Sequence, residues 1–281
     1  MFMELLFGPA GIPNASKDRS TVGGIRTVKE LGLDAMEVQF VRGVKMGEET
    51  AKKVGEVSRE LKVVLSVHAP YYINLNAENE KKREDSIKRL KDSAKISSLF
   101  FARDIIFHPG YYLKSSKKAA YERVKNSVMK VLEFITQNDL DIILRPETTG
   151  KPTQFGELDE ILNLCSELDR VLPCIDFSHI HARYRAYNSY DEFCQILEKV
   201  EGLGKEALKN MHIHVSGIEY GLKGEKKHLN LDESDFRYLD LLKALVDFKV
   251  KGVVICESPN LEEDALKLKK EYLKMLTSSP P

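Results

Sequence analysis

Residues of metal-ligand type recur at the ends of short apolar runs. His68 closes VVLSVHA, His108 follows DIIF, Glu147 follows DIILRP, Asp176 and His179 close LPCIDFSH, His212 and His214 lie in MHIHVSG, and Glu257 follows GVVIC. From His68 through His108, Glu147, Asp176 and His212 to Glu257 the gaps are 40, 39, 29, 36 and 45 residues. A lone histidine at the end of an apolar run is more often a hydrogen-bonded core residue than a ligand. Glu147 and Glu257 differ in kind, because a carboxylate after DIIL or VVIC is costly to bury without a cation or several donors. Imidazole and carboxylate are the donors that Zn or Mn prefer, and six of them at equivalent strand ends read as one ligand ring. His181, His214 and His228 stand as further ligands, supporting donors or loop residues.

The elements that must position this ring follow from the patterning. Runs LLFGP (5–9), AMEVQF (35–40), VVLSVHA (63–69), DIIFHP (104–109), DIILRPE (141–147), LPCIDFSH (172–179), MHIHVSG (211–217) and GVVICESP (252–259) read as eight strands. Between them lie segments such as ETAKKVGEVSRELK and AAYERVKNSVMKVLEFITQN, whose apolar residues recur at spacings of three and four, as helices covering a sheet require. Eight strand and helix pairs predict one (β/α)8 TIM barrel over residues 1–281, with the active site at the C-terminal ends of the strands. A doubly wound open sheet is the alternative, but no GxGxxG follows the first strand.

Composition bounds the rest. A chain of 281 residues, 42% apolar and 31% charged, can bury a large core, and its length suits one large α/β domain or two small ones. There is no run of 18 apolar residues, and MFMELLFGPAG lacks the basic and long apolar regions of a secretion signal, so a cytoplasmic location is expected. Cys165, Cys174, Cys194 and Cys256 show no CxxC spacing and read as reduced thiols. With 43 basic and 43 acidic residues the net charge is zero, so a nucleic-acid partner would have to be met by a local patch. Plentiful Lys and Glu without Trp fit a thermophile.

In order along residues 68–259, HAPYYINL, FHPG, RPETTGK, IDFSH, MHIHVSG, KKHLNL and CESP resemble the successive motifs of the endonuclease IV family, the zinc-dependent apurinic/apyrimidinic endonucleases of base excision repair. The resemblance implies a trinuclear centre: His68 and His108 on the first metal, Glu147 bridging to the second, Asp176, His212 and Glu257 completing the second, and His179 and His228 on the third. One position departs from the family pattern. The third metal takes an aspartate two residues before the last histidine, and Lys226 stands there. That leaves open whether Glu225 reaches in, His181 or His214 substitutes, Lys226 itself supplies the charge, or the third ion is weakly held or absent. Zn2+ is expected, two or three ions per chain, with Mn2+ as the other candidate.

The donor set suits phosphodiester cleavage on its own terms, since two metals roughly 3.5–4 Å apart can generate a nucleophile at neutral pH and neutralise charge on the phosphate oxygens. Glu147, Asp176 and Glu257 are the expected catalytic carboxylates. The partner implied is double-stranded DNA with an abasic site, cut on its 5′ side to leave a 3′-hydroxyl by a monomer with no membrane association. Loops VRGVK, GYYLKSSKK, HARYRAY and GLKGEKK mix aromatics with cations directly after strands, which suits phosphate contact and stacking. Arg42, Lys114, Arg183, Arg185 and Lys226 are the candidate DNA contacts, and Tyr71 matches the family position that enters the minor groove at the flipped abasic nucleotide. Two other classes remain. A sugar isomerase or epimerase of the related xylose isomerase-like barrels would need one metal on Glu147, Asp176, His212 and Glu257; a lesion-binding protein would have lost catalysis with its altered third site.

Overall fold

The computed structural model describes residues 4–204 and 206–278. The expected domain limits at residues 1 and 281 fall outside them. Among the described residues there are ten strands: β1 (Leu5–Pro9), β2 (Ala35–Gln39), β3 (Val64–His68), β4 (Asp104–Phe107), β5 (Ile143–Pro146), β6 (Cys174–Asp176), β7 (Met211–Val215), β8 (Gly217–Gly221), β9 (Gly224–Leu229) and β10 (Gly252–Cys256). Nine α-helices accompany them there: α1 (Thr21–Glu30), α2 (Glu48–Leu61), α3 (Glu80–Leu99), α4 (Lys117–Gln137), α5 (Leu158–Glu167), α6 (Phe177–Tyr184), α7 (Tyr190–Glu201), α8 (Tyr238–Asp247) and α9 (Glu262–Ser278). None of these helices is long and apolar enough to cross a membrane.

Eight of the strands are the eight expected from the sequence, and all their ladders are parallel. They form two four-stranded arcs, β1-β10-β7-β6 and β2-β3-β4-β5. Parallel bridges Ala10–Glu37 and Glu147–Cys174 join the arcs at both seams. The result is a closed (β/α)8 barrel in the order β1-β2-β3-β4-β5-β6-β7-β10. The helices cover it because their apolar faces are in register with the strands. In α4, Ala120, Val124, Val128, Val131 and Ile135 are buried at spacings of three and four, and the Ser116 hydroxyl caps the first turn by accepting from the Ala119 amide. Burying each such Val or Ile contributes roughly 1.5–3 kcal/mol.

Most of the apolar core lies between strands and helices, and the barrel lumen combines buried polar side chains with a small apolar cluster of Ala35, Val253 and Ile255. At its N-terminal end the buried Arg145 guanidinium is held by Asp104 Oδ1 at 2.7 Å, Asn210 Oδ1 at 3.0 Å and the carbonyls of Pro173 and Asn210. Glu37, Ser66 and His212 form the middle layer, all buried. The candidate ligands lie above them, at the C-terminal ends of the strands.

Two elements differ from the sequence expectation. His179 sits in the first turn of α6, not on a strand, because the Asp176 carboxylate caps that helix by accepting from the His179 amide at 2.6 Å. GLKGEKK, expected as a loop, lies within the antiparallel hairpin β8–β9.

Candidate metal centre

His68, His179 and His228 are each oriented at the barrel mouth by Nδ1, which frees Nε2. In His68, Nδ1 is 2.9 Å from the Ala69 carbonyl and donates to it, so bare Nε2 faces Glu147 Oε2 at 3.2 Å. His108 Nε2 approaches the same oxygen at 3.1 Å. In His179, Nδ1 donates to the Thr148 carbonyl at 3.1 Å, and in His228, Nδ1 donates to the Glu257 carbonyl at 3.2 Å. The two Nε2 atoms then meet at 3.2 Å. Two donors on a tetrahedral zinc, with bonds of about 2.0–2.1 Å, lie roughly 3.3 Å apart.

Besides Cys174, His212 and His214 lower in the lumen, the donors form three contiguous sets whose atoms likewise lie within 4.8 Å of one another: His68, His108 and Glu147; Glu147, Asp176, His214 and Glu257; and His179, His228 and Glu257. Glu147 is shared by the first two and Glu257 by the last two. Glu147 Oε1, Asp176 Oδ2 and His214 Nδ1 are buried without a hydrogen-bond partner among the described residues. Buried polar atoms are nearly always satisfied, so three orphaned donor atoms in one cluster fit a cation. Thr148 fixes the relation of β5 to β6: its hydroxyl accepts from the Asp176 amide at 2.9 Å and donates to the Asp176 carbonyl.

Electrostatics follow from this crowding. Burial opposes ionisation of Glu147, but the imidazoles of His108 and His214 outweigh it and hold the carboxyl well below the usual range. Asp176 moves the other way, up to about 6, because burial and the charges of Glu147 and Glu257 outweigh His179. His179 is raised well above an ordinary imidazole: burial disfavours its charge, and Asp176 and Glu147 overcome that. His214 is raised likewise against burial, by Cys174, Glu257, Glu37 and Glu147.

Three expected placements are corrected. His214, not His212, joins Glu147, Asp176 and Glu257. Both β7 side chains point into the lumen, but His212 is two residues further from the mouth and bonds Glu37 instead, Nε2 to Oε2 at 3.0 Å. His181 stands outside the donor sets: its Nδ1 is 2.9 Å from the Ala186 carbonyl and its Nε2 3.3 Å from Asp235 Oδ1. Arg183 is turned inward rather than exposed on a basic loop. Only 7% exposed, it clamps the loop after β5 through the carbonyls of Thr149, Lys151 and Gln154 and through Glu157.

Around the departure at Lys226, the two adjacent side chains point in opposite directions. Lys226 Nζ pairs with Glu219 Oε1 at 3.1 Å, on the exposed side of the hairpin. Glu225 turns inward, with Oε2 3.6 Å from His179 Nε2. It can approach because residue 150 is glycine; a Cβ there would stand 2.6 Å from Glu225 Cβ and 2.8 Å from Oε2. The Glu225 carboxyl lies below its usual range, since His179 and Lys151 outweigh its burial.

The rim carries exposed aromatics and cations. Tyr71, 57% exposed, lies 5.6 Å ring to ring from His68, and Tyr72 is exposed beside it. Arg42, Lys114 and Arg185 are exposed on loops at the mouth. A groove of about 540 Å³ beside Arg42 is also lined by Arg19, Gln39 and Lys45. Sequence reasoning missed Glu37, which lies mid-strand in AMEVQ and receives four side chains; its signal was a carboxylate inside an otherwise strand-like run, a costly place for an unpaired charge. Burial opposes its charge, yet His214 and His212 hold it far below the ordinary carboxyl range.

Comparison with known proteins agrees with this architecture. An uncharacterized protein of Methanocaldococcus jannaschii is 52% identical over 270 residues, covering 95% of this chain and 97% of that one. A probable endonuclease 4 of Mycoplasma pneumoniae is 27% identical over 201 residues, 69% of this chain and 68% of its own. Among solved structures, endonuclease IV from Thermus thermophilus superposes with a TM-score of 0.76 at 19% identity over 98% of this chain and 100% of the other. A D-tagatose 3-epimerase-like protein gives 0.75 at 20% identity, over 98% of each chain. The sequence model of one family matches residues 25–278, and on that match the chain, similar within the family to endonuclease 4 proteins, belongs to the xylose isomerase-like TIM barrels.

Proposed function

We propose that the protein is a metal-dependent phosphodiesterase that cuts duplex DNA on the 5′ side of abasic sites, with two or three zinc ions, or Mn2+ in their place. The observation that carries this reading is the run of three donor sets linked through Glu147 and Glu257. Bound metals would activate water at neutral pH and neutralise charge on the phosphate oxygens. His68 and His108 would hold the first ion, Asp176, His214 and Glu257 the second, and His179, His228 and Glu225 the third, with Glu147 between the first two. Hydrolysis of the phosphodiester then leaves a 3′-hydroxyl and a 5′ deoxyribose phosphate.

Substrate choice would rest on the rim. Tyr71 and Tyr72 would stack where the missing base leaves space, and extrusion costs least where nothing is stacked. Arg42, Lys114 and Arg185 would contact phosphates, setting register without reading sequence.

An epimerase reading needs only Glu147, Asp176, His214 and Glu257. It is supported by a likeness of fold and leaves His68, His108, His179 and His228 without a role. Metal content of the purified full chain separates the readings. Two or three equivalents, with incision of an abasic duplex, support the nuclease; one equivalent, with turnover of a ketose, supports the epimerase. Full metal with tight lesion binding and no incision marks a lesion-binding protein.

A further inference from the structure

Glu37 stands below the metal centre on the opposite wall of the barrel from β7, and it belongs to none of the three donor sets. Its carboxylate is fully buried. Oε2 accepts from Ser66 Oγ at 2.9 Å and from His212 Nε2 at 3.0 Å. Oε1 accepts from Gln39 Nε2 at 3.1 Å. His214 Nε2 lies between the two oxygens, 3.2 Å from Oε1 and 3.3 Å from Oε2. An ionised carboxylate offers about four acceptor sites and no donor. Four groups from β2, β3 and β7 fill them.

The consequence lies in His214. A carboxylate partner requires that Nε2 carry a proton, so Nδ1 is the nitrogen left to bind an ion once its own proton is displaced. Nδ1 is the nitrogen that faces Glu147 Oε1 at 3.5 Å and Glu257 Oε1 at 3.6 Å, and it has no hydrogen-bond partner among the described residues. We infer that Glu37 is a positioning residue for the metal centre: it fixes the ring and tautomer of His214 so that Nδ1 is presented as a ligand, and Ser66 and His212 lock Glu37 in turn. The inference rests on the metal reading proposed above and deepens it. His212 therefore serves the site one step removed, through Glu37. A carboxylate behind a ligating histidine orients the ring and raises its basicity, and losing it typically weakens metal binding about 10–100-fold.

The full-length protein, 15N-labelled at histidine and loaded with zinc, tests this by NMR. The expected result is a slowly exchanging proton on His214 Nε2 and a shift of Nδ1 on zinc loading; a proton on Nδ1 overturns the inference, and this measurement needs no variant to fold. Alongside it, competition with a chelator compares wild type and Glu37→Gln. An amide presents NH2 to at least one of the donors, so one zinc equivalent should weaken by about 10–100-fold. Wild-type affinity for every equivalent in a folded Glu37→Gln overturns the role of Glu37 alone. Wild-type protein that takes up no metal overturns this inference and the metal reading together.

Discussion

His179 and His228 face each other through their Nε2 atoms at 3.2 Å, while each ring donates from Nδ1 to a main-chain carbonyl. Two lone pairs at that distance repel unless a proton or metal lies between them. Glu225 brings a carboxylate oxygen to 3.6 Å from His179 Nε2, and Gly150 makes room for it. Glu225→Gln and Gly150→Ala should therefore each loosen the same single zinc equivalent, roughly tenfold or more, whereas Lys226→Ala should leave all equivalents unchanged. Metal content after graded chelation reads this directly; loosening by Lys226→Ala would return the third site to the family position.

Zinc uptake should be pH-dependent, with a sign set by the raised groups. Asp176 near 6 and the raised His179 and His214 retain protons in the metal-free fold. Those protons stabilise that fold below the unfolded values of the groups, and the contribution is lost as pH rises through the folded ones. Metal requires the deprotonated forms. The increase in Tm on adding zinc should grow from about pH 6 to about pH 8, and affinity should rise about tenfold per pH unit for each proton displaced. An increment that falls with pH would mean that these groups do not bind the ion.

Tyr71→Ala should reduce affinity for an abasic duplex while leaving affinity for intact duplex nearly constant, because the latter is set by phosphate contacts and salt. Equal loss on both duplexes, measured at one ionic strength, would remove Tyr71 from lesion recognition.

Arg183 and Arg42 should separate stability from binding. Arg183→Ala leaves buried carbonyls of Thr149, Lys151 and Gln154 without their donor, and a loss of about 3 kcal/mol in unfolding free energy is expected. Arg42→Ala should leave Tm unchanged and lower DNA affinity with a shallower salt dependence. Thermal melts and a salt titration of binding decide both.

The barrel was legible because short apolar, β-branched runs alternate with segments of helical spacing eight times, and a closed parallel sheet follows from that arithmetic. His68, His108, Glu147, Asp176 and Glu257 were legible because each ends such a run. Depth along a strand was not: His212 and His214 share a face of β7, and only the barrel's stagger decides which reaches the mouth. Glu37 was hidden by position, since ligands were sought at strand ends and it acts from mid-strand. Arg183 was misread from composition, because HARYRAY looks like a basic loop, while the Asp176 cap starts a helix there that turns Arg183 inward. The β8–β9 hairpin was obscured by its glycines and charges, which left the inward turn of Glu225 as one of several alternatives.

The nuclease reading is decided by incision of a single end-labelled abasic duplex by zinc-loaded wild type and by Glu147→Gln. Glu147 is buried between the first two donor sets, and glutamine keeps its volume while removing the shared charge. Wild type should cut only on the 5′ side of the lesion, leaving a 3′-hydroxyl that a polymerase extends, and folded Glu147→Gln should cut at least about a hundredfold more slowly. Equal incision by the two proteins, or none by wild type carrying its full metal complement, would contradict the account.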